Sequence, residues 1–502
     1  MSPIAKQGAT RWADAVVLLL LPVQAVLLFS RAGMLTLWTD ELSTLLDVSQ
    51  PLPGLFQSAL TDMHPPLYFL LVHFWIRLPL PGDTLDRVRM FSAVWTLIAT
   101  IALDRLWLAS WTAARRLAVL LLWCFSPLLL LYGRMARSYS MQAALSLIAI
   151  ALAWRLLRQP DTRRMLASAL AVVALLYTHF VPGLAIAIAF GIALLLKIDK
   201  RLAVAWSGLI AVAYLPWVVQ MGVALRRWTT APGVAGRYEL TGGFATEHLL
   251  KIGYALVAFQ IGESFPVWAL IAVPVVSIAA FLSLLQVWPR ARELAPAMLG
   301  AALIGYIGVS RWVSYPFTPA RLLWLLPFFF MAVALARYWL PLTALLLILN
   351  AVSIWCYFHQ ENFRNKGYVV PLRAIASEAS HGSLVLVDRY NTDCAVLLRD
   401  LQPVVPTIVV DSSSQAAARA ALRDDRRARD VWFIRNSHDI SPGHLVSEIE
   451  TLACAGKVRR EQGYVAYEPW ERQAMRLMGI SDPPRWFYEV SECSTSGTPR
   501  LR

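Results

Sequence analysis

Apolar runs of about 17 or more residues recur through the first 360 positions of this chain. A helix needs about 20 predominantly apolar residues to cross the hydrocarbon of a bilayer. A soluble domain cannot hide so many such runs, so the pattern predicts a polytopic α-helical membrane protein. Composition agrees. The chain is 58% hydrophobic and 16% charged, whereas soluble domains carry about 25% charged residues. A disordered chain and a small disulfide scaffold are excluded on the same ground.

There are 46 Lys and Arg against 32 Asp and Glu, a net charge of +14. In a soluble protein that excess would suggest nucleic acid. Here the basic residues cluster in short gaps between apolar runs, so membrane topology explains most of it and no nucleic-acid partner is expected. A residual basic surface suits anionic membrane lipid or a phosphate-bearing substrate. Lys6 and Arg11 precede the first apolar run, which no small-x-small pattern closes; residues 13–30 are expected as a first crossing, not a cleaved signal. Cys124 and Cys356 fall in apolar helices and read as packing. Cys394, Cys454 and Cys493 lie in a polar tail, where one pair could be oxidised outside the cytoplasm, and the sequence does not choose the pair.

Further apolar spans follow at 89–108, 117–132, 139–157, 164–178, 181–196, 202–221, 266–287, 294–310, 322–336 and 340–357. Some gaps between them hold compact basic clusters: Arg115-Arg116, Arg158 with Arg163-Arg164, Lys197 with Lys200-Arg201, Arg290 with Arg292, and Arg337. These alternate with gaps of other character: Arg134–Ser140, Thr178–Pro182, Gly222–Phe265 and Val313–Ala320. Basic clusters belong in the cytoplasm with the Lys6 and Arg11 end. The parity works only if the apolar segment 65–80 does not cross. Its two leading prolines and its internal His73 and Arg77 suit a re-entrant or interfacial helix. The expectation is about 11 transmembrane helices with the N-terminus inside. The tightest place is the turn Thr178-His179-Phe180 between two short spans.

Residues 361–502 read as a separate α/β soluble domain, which the same parity puts on the periplasmic side. Ser383–Asp388, Val404–Val410, Asp430–Ile434 and Gly463–Tyr467 have strand patterns, with helices expected at 391–401, 414–427 and 442–454. No Gly-x-Gly-x-x-Gly or P-loop occurs there, so the domain carries no nucleotide signature; a structural cap is the plain reading.

The first external segment, about 33–86, carries the chemistry-bearing residues. It contains Leu37-Trp38-Thr39-Asp40-Glu41-Leu42-Ser43 and then Asp62-Met63-His64-Pro65-Pro66-Leu67-Tyr68. Acidic residues at the exit of a membrane helix are expected to face a cavity or a partner. A plainer reading also stands: Asp40 and Glu41 favour the start of a helix, and Pro65-Pro66 opens another. Arg87-Val-Arg89 follows, then Tyr132-Gly-Arg134-Met-Ala-Arg137-Ser-Tyr139, Leu176-Tyr-Thr-His179 and Tyr214-Leu-Pro-Trp217.

As a series, these elements over residues 12–360 resemble the GT-C glycosyltransferases of the protein O-mannosyltransferase and lipid A aminoarabinose transferase type, especially bacterial family 39-like members. The resemblance implies a GT-C transmembrane catalytic domain over residues 1–360 and a catalytic first external loop. It implies a polyprenyl-phosphate sugar as donor, a lipid, glycan or protein as acceptor, and inversion at the anomeric carbon. Asp40 matches the family's catalytic aspartate, the general base, and Glu41 is its neighbour. The departing lipid phosphate calls for cations. Arg134 and Arg137 are the first candidates and Lys251, Arg311 and Arg321 the next; snorkelling to headgroups is the alternative for each. Tyr139, Asp62, His64, Arg89 and His179 complete the substrate-binding set that the resemblance suggests.

One departure matters. Relatives commonly carry Gln-Glu-Ala-Arg-x-Tyr where this chain has Arg134-Met135-Ala136-Arg137-Ser138-Tyr139. The acid is replaced by Met135, and Asp62 or Glu263 are the candidates to take its place. No cofactor is demanded. A divalent cation is the one candidate, but His64 and His179 lie far apart in sequence and are a weak ligand pair, and a packed histidine is the plainer reading of each.

A competing function is a transporter or flippase of lipid-linked saccharides. It predicts internal repeats and ionisable residues at helix midpoints. No clear repeat occurs, and most charges sit at helix ends; Asp104, deep by hydropathy, is followed by Arg105, and a helix end accounts for both. A noncatalytic scaffold would leave the Asp40-Glu41 and His64-Pro-Pro-Leu-Tyr elements without a purpose. The expected location is a bacterial inner membrane.

Overall fold

The computed structural model describes residues 3–30, 39–61, 64–230, 243–287, 294–312, 319–359 and 369–379, and beyond these mainly the strands of the C-terminal part. The chain divides into two compact units. The first comprises Met1–Gly33, Ser43–Glu239 and Gly243–Cys356; the second comprises Met34–Leu42, Leu240–Gly242 and Tyr357–Arg502.

The first unit is helical. It begins with α1 (Pro3–Phe29), followed by three short helices: α2 (Thr39–Ser49), which belongs to this unit from Ser43 on, α3 (Leu52–Thr61) and α4 (Leu67–Trp75). Next comes α5 (Thr84–Ala102), whose N-cap Asp83 accepts a bond from the Asp86 N–H. A π-helical turn, Leu103–Leu108, continues it. Then come α6 (Ala113–Cys124) and α7 (Pro127–Tyr132), separated by Ser126, which caps α7 with Pro127 in its first turn. The series runs on through α8 (Tyr139–Arg158), α9 (Thr162–Leu176), α10 (Phe180–Lys197), α11 (Lys200–Thr230) and α12 (Gly243–Ile261). It ends with α13 (Ala272–Val287), α14 (Leu294–Trp312), a 3-10 turn at Pro319–Leu325, α15 (Leu326–Leu335) and α16 (Trp339–His359).

Among the described residues, six helical segments are long and apolar enough to cross a membrane: Thr84–Leu108, Tyr139–Arg158, Phe180–Lys197, Lys200–Val223, Val267–Gln286 and Trp339–His359. Each overlaps an expected span. The expected crossings at 13–30, 294–310 and 322–336 coincide with shorter apolar helices, whereas 117–132 is divided between α6 and α7 and 164–178 falls on α9. Burial sorts the six into inner and outer members. Tyr139–Arg158 is 72% buried, whereas Lys200–Val223 and Val267–Gln286 are each 28% buried. The outer helices show Val212, Ile271 and Phe281 to the surroundings. A hydrophobic helix with that much apolar exposure requires lipid as its solvent, and the chain is a membrane protein.

Two expectations meet their test here. The segment 65–80 forms α4, nine residues long. At 1.5 Å per residue that is roughly 14 Å, half the hydrocarbon thickness, so α4 does not span. His73 Nδ1 lies 3.0 Å from the Val48 carbonyl, Trp75 Nε1 donates to the Arg87 carbonyl at 2.9 Å, and Arg77 donates to the His73 carbonyl. The Gly222–Phe265 gap, read as an external stretch, instead contains α12, while α11 runs on to Thr230. Its apolar run is interrupted by His248 and Lys251, which lowers the hydropathy that marks a span.

The interior holds polar chemistry that hydropathy hides. Trp123 Nε1 donates to Thr100 Oγ1 at 2.8 Å, and Thr100 Oγ1 bonds Gln24 Oε1 at 2.7 Å, all buried. Asp104 is not a simple helix-end residue. It is fully buried in the π-helical turn and receives two bonds from Arg116, Nε to Oδ1 at 2.5 Å and Nη2 to Oδ2 at 2.8 Å. Arg105 Nε adds a contact at 3.3 Å.

Among the described residues, the second unit contains α17 (Val369–Glu378) and five strands: β1 (Ser383–Asp388), β2 (Thr407–Val410), β3 (Asp430–Asn436), β4 (Arg460–Ala466) and β5 (Trp486–Ser494). Their order is β2-β1-β3-β5-β4. The β1 pairs are parallel and the β5 pairs antiparallel. Leu372 and Ile375 of α17 pack with Val385, Val387, Trp432, Ile434 and Val490. The four expected strands coincide with β1 to β4. The fifth, β5, was not anticipated: Glu489 and Glu492 break its apolar run. The expected helices at 391–401, 414–427 and 442–454 lie largely outside the described residues, as do Cys394 and Cys454.

Candidate active site

The loop Gly133–Ser138, between α7 and α8, presents two arginines and is fixed by α5. Ser92 and Thr96 lie one turn apart on α5. Thr96 Oγ1 donates to the Gly133 carbonyl at 2.7 Å, and Ser92 Oγ to the Arg137 carbonyl at 3.3 Å. Tyr68 of α4 stands 2.9 Å from Ser92 Oγ. Residue 133 must be glycine: a Cβ would press on the Leu129 carbonyl and come within 2.7 Å of Thr96 Oγ1. Tyr132 and Tyr139 close the loop, their rings edge to face with centroids 5.6 Å apart.

Both arginines are buried, Arg134 at 1% exposure and Arg137 at 8%. Arg134 Nη1 donates to the Ser30 carbonyl at 3.0 Å. Arg137 Nη1 donates to Thr44 Oγ1 at 3.3 Å, and its Nη2 lies 2.9 Å from His64 Nε2. Arginine has only donors, so His64 Nε2 accepts and the ring proton sits on Nδ1.

A second histidine joins this group. His64 sits in the turn before α4 and His179 is the N-cap of α10, and Leu67 N–H donates to the Tyr177 carbonyl at 2.9 Å, tying the two turns together. The Val181 N–H donates to His179 Nδ1 at 3.3 Å, so a neutral His179 carries its proton on Nε2. Burial first, and with it the neighbouring Arg321 and Arg137 guanidinium groups, hold its pKa well below the usual histidine value. Arg321, in the 3-10 turn before α15, is held through its carbonyl by Gln142 Nε2 at 3.1 Å. Its Nη1 is buried and has no hydrogen-bond partner among the described residues. A buried guanidinium nitrogen in that condition costs about 1–3 kcal/mol or more until something accepts from it.

Glu263 also reaches this region. Tyr132 Oη donates to Oε2 at 2.7 Å and Tyr254 Oη to Oε1 at 2.5 Å. Gly262 before it adopts φ +72°, and a Cβ there would meet Pro127 Cβ at 2.6 Å.

The structure therefore brings together Arg137, His64, His179 and Arg321, with Tyr139 at the edge of the same loop. Lys251 is placed differently: it donates to the carbonyl and hydroxyl of Ser310, across α12 and α14, at 3.4 and 3.3 Å. Arg89 is buried on α5. Asp40, exposed, and Glu41, buried, both stand in the first turn of α2, so the helix-start reading holds for them as well. Asp62 and the Arg311 side chain lie outside the described residues. Sequence reasoning gave no role to Thr44, Ser92 or Thr96; single hydroxyls on helices carry no local signal.

Among the described residues, no three His, Cys, Asp or Glu side chains come close enough to hold a metal ion. The two histidines do not fit a divalent cation. His64 Nε2 already accepts from Arg137, His179 Nδ1 from Val181, and two guanidinium groups stand nearby. The chemistry that suits this group is the binding of an anion.

No protein-family model matches the chain, and no curated protein matches it. Solved structures do. One is the crystal structure of ArnT from Cupriavidus metallidurans in the apo state, at 13% identity and a TM-score of 0.51, over 97% of this chain and 99% of that one. Another is the archaeal oligosaccharyltransferase AglB from Archaeoglobus fulgidus in complex with an inhibitory peptide and a dolichol-phosphate, at 10% identity and a TM-score of 0.48, over 96% and 88%. The likeness to ArnT runs through nearly the whole of both chains, and with the helical membrane unit and the C-terminal sheet it shows that this protein has the GT-C glycosyltransferase fold.

Proposed function

We propose that the chain is an inverting glycosyltransferase. It moves a sugar from a polyprenyl-phosphate donor to an envelope acceptor, a lipid, glycan or protein, on the periplasmic face of a bacterial inner membrane. The observation that carries this reading is the buried cationic group. Arg321 keeps an unpartnered Nη1 beside Arg137, His64 and a neutral His179. A phosphate that gains charge as the sugar leaves suits such donors, because their attraction grows through the transition state.

In the proposed reaction Asp40 takes the proton of the acceptor hydroxyl. The oxygen attacks the anomeric carbon from the face opposite the phosphate, and the carbon–oxygen bond to phosphate breaks. Polyprenyl phosphate departs with the electron pair, and the anomeric configuration inverts. Asp40 is chosen from the resemblance, and its exposure in the first turn of α2 leaves its carboxylate open to an acceptor hydroxyl. The orientation rests on the alternation of basic gaps.

Two measurements test the reading. Mass spectrometry of envelope glycolipids, glycans and glycoproteins from cells with and without the gene should reveal one missing glycoform. Reporter fusions at residues 113 and 380 should report cytoplasm and periplasm respectively. An unchanged envelope, together with no release of polyprenyl phosphate by the purified chain, would sink the assignment.

A further inference from the structure

Glu263 has a role in the arginine loop that its place in the chain does not suggest. It lies 131 residues after Tyr132, yet the two are bonded. The Gly262-Glu263 turn touches α7 twice. Gly262 lies so close to Pro127, in the first turn of α7, that no Cβ fits. The Glu263 carboxylate accepts from Tyr132, the last residue of α7. Side chains on a helix lean toward its N-terminus, so the Tyr132 hydroxyl reaches back toward the turn that holds it. Tyr132 is 2% exposed and Tyr139 5%. Their ring contact joins the two ends of Gly133–Ser138.

A buried tyrosine hydroxyl needs a partner, but a neutral carbonyl would do. A carboxylate does more. It only accepts, so the Tyr132 hydroxyl is held as a donor in one direction. Its second oxygen is held by Tyr254 from α12, so the carboxylate itself has little freedom to turn. We propose that Glu263 is a positioning residue for donor binding. By fixing Tyr132, and through it Tyr139, it holds the loop in the shape that aims Arg134 and Arg137 at the donor phosphate. This rests on the donor-phosphate reading given above.

The test uses the full-length chain in detergent, with Tyr132→Phe, Glu263→Gln and their double variant. Tyr132→Phe keeps the ring and removes one oxygen. The first readout is the Kd for a fluorescent polyprenyl monophosphate. Each single variant should raise it about tenfold, and the double variant no further, because both remove the same link. The donor KM should rise with kcat held, and Glu263→Asp should recover part of the loss. A purely structural role would lower Tm and leave the Kd of the folded fraction unchanged. That result overturns the proposal, as does an unchanged Kd in both single variants while Arg137→Ala loses binding; either leaves the donor-phosphate reading standing. Wild-type affinity in Arg137→Ala and in Arg321→Ala would overturn that reading and the proposal with it. If Glu263→Gln does not fold, Tyr132→Phe decides alone.

Discussion

Two groups of buried arginine occupy the two ends of the α5–α7 region. At one end Arg116 is 6% exposed and bonds Asp104 through two nitrogens. At the other, Arg137 is 8% exposed and bonds a threonine hydroxyl and a neutral imidazole, while Arg321 keeps a buried nitrogen with no partner. Burying a guanidinium costs several kcal/mol in either place. At the first end a carboxylate offsets that cost within the protein, and the product is structure. At the second, Arg137 bonds an imidazole and a hydroxyl, and among the described residues nothing accepts from Arg321 Nη1. The difference teaches how to read arginine in a membrane protein: burial does not separate a structural cation from a ligand-binding one, but a buried donor left open, as at Arg321, does.

The largest expected effect lies outside both arginine groups. If the cationic group binds the donor and Asp40 performs the proton transfer, Asp40→Asn should lower transfer by about 10²–10⁴ with donor affinity kept. Glu41→Gln should do less harm. Near-wild-type turnover by a folded Asp40→Asn variant would make Asp62 the next candidate for the base.

The comparison itself breaks or holds at Asp104. Asp104→Ala leaves Arg116 buried without its carboxylate and should destabilise the protein by about 3–5 kcal/mol, read as a lower Tm in detergent. Donor affinity of the folded fraction should stay at the wild-type value. A specific loss of donor affinity with an unchanged Tm would show that the two ends are not distinct in kind.

At the other end the signs reverse. Arg137→Ala should weaken binding of a polyprenyl phosphate by about 1.5–3 kcal/mol with a smaller effect on Tm. Arg321→Ala should weaken it too, and the protein should become no less stable, because a buried guanidinium nitrogen without a partner is removed. Equilibrium binding and thermal unfolding on the same preparations check both statements.

The smallest effect concerns His179. Burial holds its folded-state pKa well below the ordinary histidine value of 6.5. As pH falls through 6.5 the unfolded chain takes up a proton that the folded chain resists, so this group's contribution to stability is complete above that pH and is lost below it. His179→Asn keeps a capping side chain before α10 and should flatten the fall of Tm on acidification. An unchanged acid profile would remove His179 from the account.

Much of the fold is legible in the sequence because membrane spans are a local property. Twenty apolar residues announce a helix wherever their neighbours end up, and Thr84–Leu108 and Trp339–His359 are examples. β1 and β3 were legible for a similar reason, as short runs rich in β-branched and aromatic residues; β5 was not, because its glutamates disguise it. Short hydrophilic breaks misled at α12, where two polar residues hid a 19-residue helix. The candidate site was legible as residue types and not as an assembly. The arginines of Arg115-Arg116 and of Arg134–Arg137 look alike on paper, each a pair of basic residues at the edge of an apolar run.

Sequence alone determined that this chain must live in lipid and roughly where its long apolar helices lie. Those properties are set by hydropathy and backbone preference within about 20 residues. Tertiary structure decided what each of these arginines meets. Arg116 meets its carboxylate 12 residues away, Arg137 meets His64 at a separation of 73, and Gln142 holds the Arg321 backbone at 179. Electrostatic energy falls with distance in space and takes no account of distance along the chain, so the character of each arginine was settled only when the helices packed.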